Sequence, residues 1–341
     1  MKAYRVESDQ GFGAIRMVDL APPLPGPGQV RVSLKAASLN YRDLVIAKGG
    51  YLRNQTRPVI PLSDGAGVID AVGEGVTSWR AGDCVVANFL RDWVHGPLHE
   101  RVLHSALGGA IDGVLAEQFV VPAHALVRIP DHLDFAEAST LPCAALTAWN
   151  ALTAANTRAG DNVLVLGTGG VSIFALQLAR AMGARVIATS SSDAKLAKAR
   201  ELGAHAAINY KSHPLWSSKV LELTGGVGVD HVIEIGGPGT FEQSLKSTRV
   251  GGTVSLIGFL ASGDNPGIVP AILNAQTVRG IYVGSVEMFE AMNRAISVAR
   301  LRPVIDRKFA FADAIKAYEY FASQAHVGKV VITRDEPAAA S

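Results

Sequence analysis

The distribution of apolar residues changes character twice along the chain. From residue 1 to about 125 it reads as short alternating runs, AYRV, QVRVSLKAASL, GAGVIDAVG, DCVVANF and AEQFVVP, separated by clusters such as PPLPGPG and GEG. Alternation with turn punctuation predicts a mainly β domain. From about 126 to 298 the runs NVLVLG, RVIATS, AAINY, DHVIEI, TVSLIG and RGIYVG alternate with helical stretches. Strands so uniformly apolar need helices on both faces, which predicts a doubly wound parallel sheet. After Arg302-Pro303, a helix in FADAIKAYEYFAS and a strand in KVVIT are expected to rejoin the first domain, giving 1–125 plus 299–341 and 126–298. The fold class is therefore α/β.

One βα unit carries chemistry. NVLVLG is followed by TGG and by a helix in which Val171, Phe174, Ala175, Leu178, Ala179 and Met182 recur at three and four residues. Gly167 permits a tight turn out of the strand, and Gly169 lets backbone approach a pyrophosphate held at the helix N-terminus, with Thr168, Gly170 and Val171 completing the turn. The third glycine of the dinucleotide fingerprint is replaced by Ser172, small enough to keep the packing. At the end of the second strand, where an NAD enzyme usually carries an acid, stand Thr189, Ser190 and Ser191, followed by Lys195. Hydroxyls and a cation without a carboxylate accommodate the 2′-phosphate of NADP(H). Asp193 runs against this, but Ser192-Asp193 is placed to cap the next helix and point its carboxylate at backbone amides; a serine-rich cap with a solvated lysine is the alternative.

Composition narrows the class. A chain of 341 residues with 48% hydrophobic and 18% charged residues fits a two-domain enzyme, and a net charge of +2 with no basic stripe gives no reason to expect nucleic acid. The partner expected is a small-molecule substrate. Two cysteines far apart, an N-terminus without an apolar signal core and no membrane-length apolar run lead to an expectation of a reduced, cytoplasmic protein with no membrane partner.

With the fingerprint placed, PGPGQVRVSLKAASLNYRDL, IPLSDGAGVIDAVGEGV, LPCAALTAWNAL and VGKVVIT stand in the order in which similar segments occur in the medium-chain dehydrogenase/reductase superfamily. The chain resembles that superfamily over nearly its full length. The resemblance implies a GroES-like β domain joined to a Rossmann domain. Zinc alcohol dehydrogenases of the superfamily hold their catalytic metal with Cys, His and Cys, the His followed by an acid; here those positions are Asn40, Ser63 with Asp64, and Cys143. The structural zinc lobe would fall in residues 88–112, which lack cysteine, and His95, His99 and His104 there have the wrong spacing for a zincin helix. No zinc is expected. The resemblance then narrows to the zinc-independent quinone oxidoreductase-like branch, which implies hydride transfer from NADPH to a quinone, enone or related carbonyl.

Three residues are candidates for catalysis. Asn40 is able to donate a hydrogen bond to a substrate oxygen or the nicotinamide ribose, or simply to cap a loop. Tyr51, in KGGYL, is a candidate proton donor or a packing residue, and Thr147 resembles the threonine that approaches the nicotinamide in relatives. Arg42 and Asp43 are expected to orient their loop, and Cys143 to be a buried small residue. The resemblance also implies cofactor contacts at Tyr210, Gly236, Gly258, Val283 and Lys329, and a homodimer paired through the RGIYVG strand. An alcohol dehydrogenase and a non-catalytic NADPH-binding protein remain as rival readings.

Overall fold

The computed structural model describes residues 1–8, 10–50, 58–261, 263 and 267–334. A ribbon of β1 (Lys2–Val6) and β2 (Ile15–Asp19) precedes β3 (Gln29–Ser38), α1 (Tyr41–Ala47), β4 (Asp64–Val72), β5 (Cys84–Ala87), α2 (Glu100–Leu103), β6 (Gln118–Pro122), β7 (Leu126–Arg128) and α3 (Phe135–Ala138). A short π-helical stretch, Leu141–Ala145, leads into α4 (Leu146–Ala154). Then come β8 (Asn162–Leu166), α5 (Gly170–Ala181), β9 (Arg185–Ser190), α6 (Asp193–Glu201), β10 (Ala206–Asn209), α7 (Trp216–Leu223), β11 (Val229–Glu234), α8 (Pro238–Ser247), β12 (Thr248–Leu256), α9 (Val269–Leu273) and β13 (Thr277–Gly280). The chain closes with α10 (Val286–Ala299), β14 (Ile305–Ala310), α11 (Ala314–Ala322) and β15 (Lys329–Thr333).

Two compact units result, Met1–Leu146 with Gly284–Ser341, and Thr147–Val283. The divisions lie inward of those the pattern suggests. Residues 126–146 and α10 pack with the first unit: the Val286 N–H donates to the Trp93 carbonyl at 2.9 Å, and the Asn293 amide to the Arg128 carbonyl at 3.0 Å.

The first unit is built on a seven-stranded sheet, β14-β15-β3-β4-β5-β7, with β6 also pairing β3. Its long strand β3 alternates as its sequence demands. Val30, Val32 and Leu34 enter a core shared with Ile69, Phe119, Tyr318 and Ile332, while Arg31, Ser33 and Lys35 stay half-exposed. The register brings three strand ends together: Ser38 pairs with Asp64 on one side and Val331 on the other, so the end of β3 meets the starts of β4 and β15.

The second unit is a six-stranded parallel sheet in the order β10-β9-β8-β11-β12-β13, a doubly wound arrangement with its switch point beside β8. Val163 to Leu166 and Val186 to Ser190 are buried, as strands covered on both faces must be. The last strand departs from the sequence pattern. It spans Thr277–Gly280 and not RGIYVG, and all four of its residues are exposed. Val283, with φ at +45°, turns the chain out of extended conformation just beyond it.

Candidate functional site

The glycine turn of the second unit is locally determined. Gly167 has φ of +73°, which L side chains adopt at a cost, and a Cβ on Gly169 would meet open space. Gly169 is the N-cap of the twelve-residue α5, so the first N–H groups of a full helix point out of the turn. Ser172 is fully buried, and its hydroxyl donates to the Leu166 carbonyl at 2.6 Å. The residue that breaks the glycine fingerprint thus ties the first turn of α5 to the end of β8. Thr168 is buried, and Gly170 and Val171 open the helix half-buried.

Behind the turn, Thr189 and Ser190 are buried at the end of β9, and the Gly167 N–H donates to the Thr189 hydroxyl at 3.4 Å. Ser191 and Lys195 are half-exposed. Ser192 is the N-cap of α6, as its position implied, but Asp193 does not turn to backbone amides. Its carboxylate accepts from the Asn209 side-chain amide at 2.8 Å. Tyr210 comes directly after, with its N–H on the Ser190 carbonyl at 3.1 Å.

At the carboxyl end of β11, Glu234 was not among the residues the sequence singled out. It is fully buried, and its Oε1 accepts from the Gly236 and Gly237 N–H groups at 2.7 and 3.0 Å and from the Thr240 hydroxyl at 2.6 Å. Its other oxygen accepts from the Ser244 hydroxyl. An acid two residues before a Gly-Gly pair at the start of a helix was the available signal. Gly236 and Gly258 each stand two residues past their strands, and a Cβ on Gly258 would run into the backbone of Ile235. Val283 lies three residues past β13, its carbonyl accepting from the Asn150 amide at 2.7 Å; Thr147 is buried in the first turn of α4.

In the first unit, the meeting of three strand ends gathers a polar cluster. Asn40 is the N-cap of α1, and its backbone N–H donates to the Asp43 carboxylate at 2.7 Å. The Lys329 ammonium, only 2% exposed, donates to the Leu39 carbonyl at 2.7 Å and to Asn40 Oδ1 at 2.6 Å. It lies 3.7 Å from the carboxylate of Asp64, which accepts from the Ser63 hydroxyl at 2.7 Å, the Ser38 hydroxyl at 3.4 Å and the Cys143 N–H at 3.3 Å. Burial, with Asp64 adding to it, pushes the Cys143 thiol up, so it is a protonated thiol. Burial likewise raises the Asp43 carboxyl to about 6 against the pull of Arg42, whose guanidinium lies 4.4 Å over the Phe89 ring. Asn40 Nδ2, Asp43 Oδ1 and the Tyr318 hydroxyl are buried without a hydrogen-bond partner among the described residues. Cys143 lies in the π-helical stretch and Thr147 beyond it in α4. Tyr51 lies outside the described residues. His95, His99 and His104 are exposed on the loop around the single turn α2.

Comparison with known proteins matches both units. The alcohol dehydrogenase GroES-like domain family covers residues 26–131, and the zinc-binding dehydrogenase family residues 170–298. A zinc-type alcohol dehydrogenase-like protein of Schizosaccharomyces pombe is 51% identical over 334 residues, 95% of this chain and 96% of that protein. This chain belongs to the medium-chain dehydrogenase/reductase superfamily. Its GroES-like and Rossmann halves are the two compact units, and it is an oxidoreductase. Within the superfamily, a quinone oxidoreductase of Pseudomonas aeruginosa is 32% identical over 92% of this chain and 94% of that protein. Among solved structures, an NAD-dependent alcohol dehydrogenase shares 34% identity with a TM-score of 0.90, covering 98% of this chain and all of that one. A mycobacterial protein complexed with NADPH shares 28% with a TM-score of 0.82, covering 98% and 99%.

Proposed function

We propose that the chain is an NADPH-dependent, zinc-independent reductase acting on a quinone, enone or related carbonyl. The observation that carries this reading is the donor chemistry around Asn40. Where a catalytic zinc would need thiolate and imidazole, the chain presents an amide, a hydroxyl and a protonated thiol, with the Lys329 ammonium hydrogen-bonded to that amide. A fixed cation among these donors, with the Asp64 carboxylate already accepting from Ser63, Ser38 and the Cys143 N–H, does not fit a divalent metal. It does fit stabilisation of negative charge developing on a substrate oxygen.

The second unit fits a dinucleotide. Gly167, Thr168, Gly169, Gly170 and Val171 would hold the pyrophosphate, with open space over Gly169 and the N-terminus of α5 beneath. Thr189, Ser190, Ser191 and Lys195 would take the 2′-phosphate, because the neighbouring acid Asp193 is turned to Asn209. Tyr210, Gly236, Gly258 and Val283 would line the rest of the cofactor, and Thr147 its nicotinamide end. When bound, NADPH supplies the hydride. Asn40 Nδ2–H would donate a hydrogen bond to the acceptor oxygen, and Tyr51 or water would deliver the proton. The mycobacterial NADPH complex and the Pseudomonas relative support this direction.

The alcohol dehydrogenase reading has the names of other relatives behind it. Exhaustive chelation separates the two. Turnover of 1,4-naphthoquinone with NADPH should survive it, with no alcohol oxidised; loss of activity restored by zinc would overturn the proposal.

Two context readings accompany it. The exposed edge strand β13 beside α9, where Ile268, Val269, Ile272 and Leu273 are exposed, supports a homodimer paired through that edge. Both cysteines are free thiols, and no helix among the described residues is long and apolar enough to cross a membrane, which supports a reducing, cytoplasmic setting.

A further inference from the structure

The two ends of a primary amide have nearly the same shape, yet they do opposite things: the oxygen accepts and the nitrogen donates. For Asn40 the choice between them is made by Lys329. An ammonium has no acceptor capacity, so the amide atom 2.6 Å from Nζ has to be Oδ1. The ammonium is itself held, donating to the Leu39 carbonyl at 2.7 Å with the Asp64 carboxylate 3.7 Å away. The Asn40 backbone is fixed from the other side by Asp43, at 2.7 Å. With Oδ1 and the backbone both committed, Nδ2 has one direction left, and there it is buried with no acceptor among the described residues. A buried donor without a partner is uncommon in a folded protein and points to a missing acceptor.

We infer that Lys329 is a positioning residue for the reaction, fixing the Asn40 amide so that its N–H pair faces the acceptor oxygen. The inference rests on the proposed reduction. It differs from the sequence expectation, in which Lys329 contacts the cofactor directly. Lys329 acts at one remove. Its charge on Oδ1 draws electron density from the amide nitrogen, so Nδ2 becomes a stronger donor through a polarised hydrogen-bond chain. In two-electron reduction of a quinone, hydride adds to the ring system while NADPH becomes NADP⁺. The electron pair displaced moves onto a carbonyl oxygen, and that oxygen, held on Nδ2–H, takes a proton afterwards; loss of a proton from the carbon that received the hydride, with protonation of the second carbonyl oxygen, then restores the aromatic ring and gives the hydroquinone. A donor already aimed at the oxygen has no reorganisation to undergo as the charge develops.

The test compares Lys329→Met, Asn40→Ala and the double variant with 1,4-naphthoquinone and NADPH. Lys329→Met is expected to lower kcat about 10- to 100-fold, a fraction of what loss of a whole oxyanion donor produces, with the NADPH Kd unchanged by fluorescence titration. The double variant should be no slower than Asn40→Ala, because the lysine acts only through the asparagine. A raised NADPH Kd in Lys329→Met would make it a cofactor ligand and overturn the inference, as would an unchanged kcat or additive losses. A readout independent of turnover is the Asn40 side-chain amide pair in a ¹H–¹⁵N spectrum, assigned by its disappearance in Asn40→Ala. In the natural chain the pair should be sharp and slow to exchange, and in Lys329→Met broadened and fast. Lys329→Arg, which keeps the charge, should retain most of the sharp pair and serves if the methionine variant does not fold. If the natural chain does not reduce the quinone, the proposed reaction fails, while the amide spectrum still decides whether Lys329 fixes Asn40.

Discussion

Each compact unit contains a buried polar network at the ends of its strands, and the two are finished differently. In the second unit the Glu234 carboxylate receives four donors from Gly236, Gly237, Thr240 and Ser244, all within ten residues of it. In the first unit Asn40, Asp43, Asp64 and Lys329 satisfy one another only in part, leaving Asn40 Nδ2, Asp43 Oδ1 and the Tyr318 hydroxyl without partners among the described residues. A closed network of this kind rigidifies a turn. An open one bears a free-energy cost that the fold alone does not require, and the proposal is that a reacting molecule completes it at Asn40.

Removing Glu234 should break the closed network most severely. Glu234→Ala strands two backbone N–H groups and two hydroxyls in the interior, and at about 1–3 kcal/mol for each buried donor left unpaired the loss should be at least about 3 kcal/mol. Equilibrium denaturant unfolding measures it, and a loss below about 1 kcal/mol would mean that the carboxylate is dispensable to the turn.

The open network should respond to pH instead. Burial raises the Asp43 carboxyl from 3.8 to about 6 despite Arg42, so the folded chain binds this proton more tightly than the unfolded chain. Stability from this group is therefore greatest below about 4 and is lost as pH rises towards 6, by about 3 kcal/mol in all. Asp43→Asn retains an acceptor for the Asn40 N–H and removes the penalty. The variant should exceed the natural chain in stability at pH 8 and approach it near pH 4.5; an identical difference at both values would show that Asp43 does not titrate there.

Smaller effects are expected at the cofactor turn. Ser190→Asp places a carboxylate where the 2′-phosphate is expected and should weaken NADPH about 10- to 100-fold, with NADH little changed. Equal effects on both cofactors would remove the 2′-phosphate from that position. Gly167→Ala meets only Ile235 Cδ1 at 3.5 Å, so its effect should be backbone strain at φ +73°, about 1–2 kcal/mol of unfolding free energy. At the edge of the sheet, Val278→Asp should shift the proposed dimer to monomers in sedimentation velocity without altering the far-UV spectrum, and an unchanged sedimentation coefficient would remove that edge as the interface.

What was readable in the sequence depends on the range of the interactions. The glycine turn, the β-branched strands and the Ser192 cap are set by neighbours a few residues apart, and their pattern survives in one dimension. The pairing of Asp193 with Asn209 spans 16 residues, enough to hide it. Lys329 and Asn40 are 289 residues apart and meet only because β3 lies between β4 and β15. The resemblance drew attention to both residues without showing that they touch. The displaced bounds of β13 have another cause. RGIYVG has the composition of a strand, but pairing stops at Gly280, opposite Leu256 at the end of β12, and the positive φ at Val283 follows; nothing in the run marks either.

In the proposed reaction, the open network around Asn40 is where the acceptor reacts. The most direct test is Asn40→Ala, assayed after chelation with NADPH and 1,4-naphthoquinone alongside an NADPH binding titration. There kcat should fall about 100-fold or more with Kd for NADPH unchanged, the signature of a lost donor to the reacting oxygen. A kcat equal to that of the natural chain would contradict it.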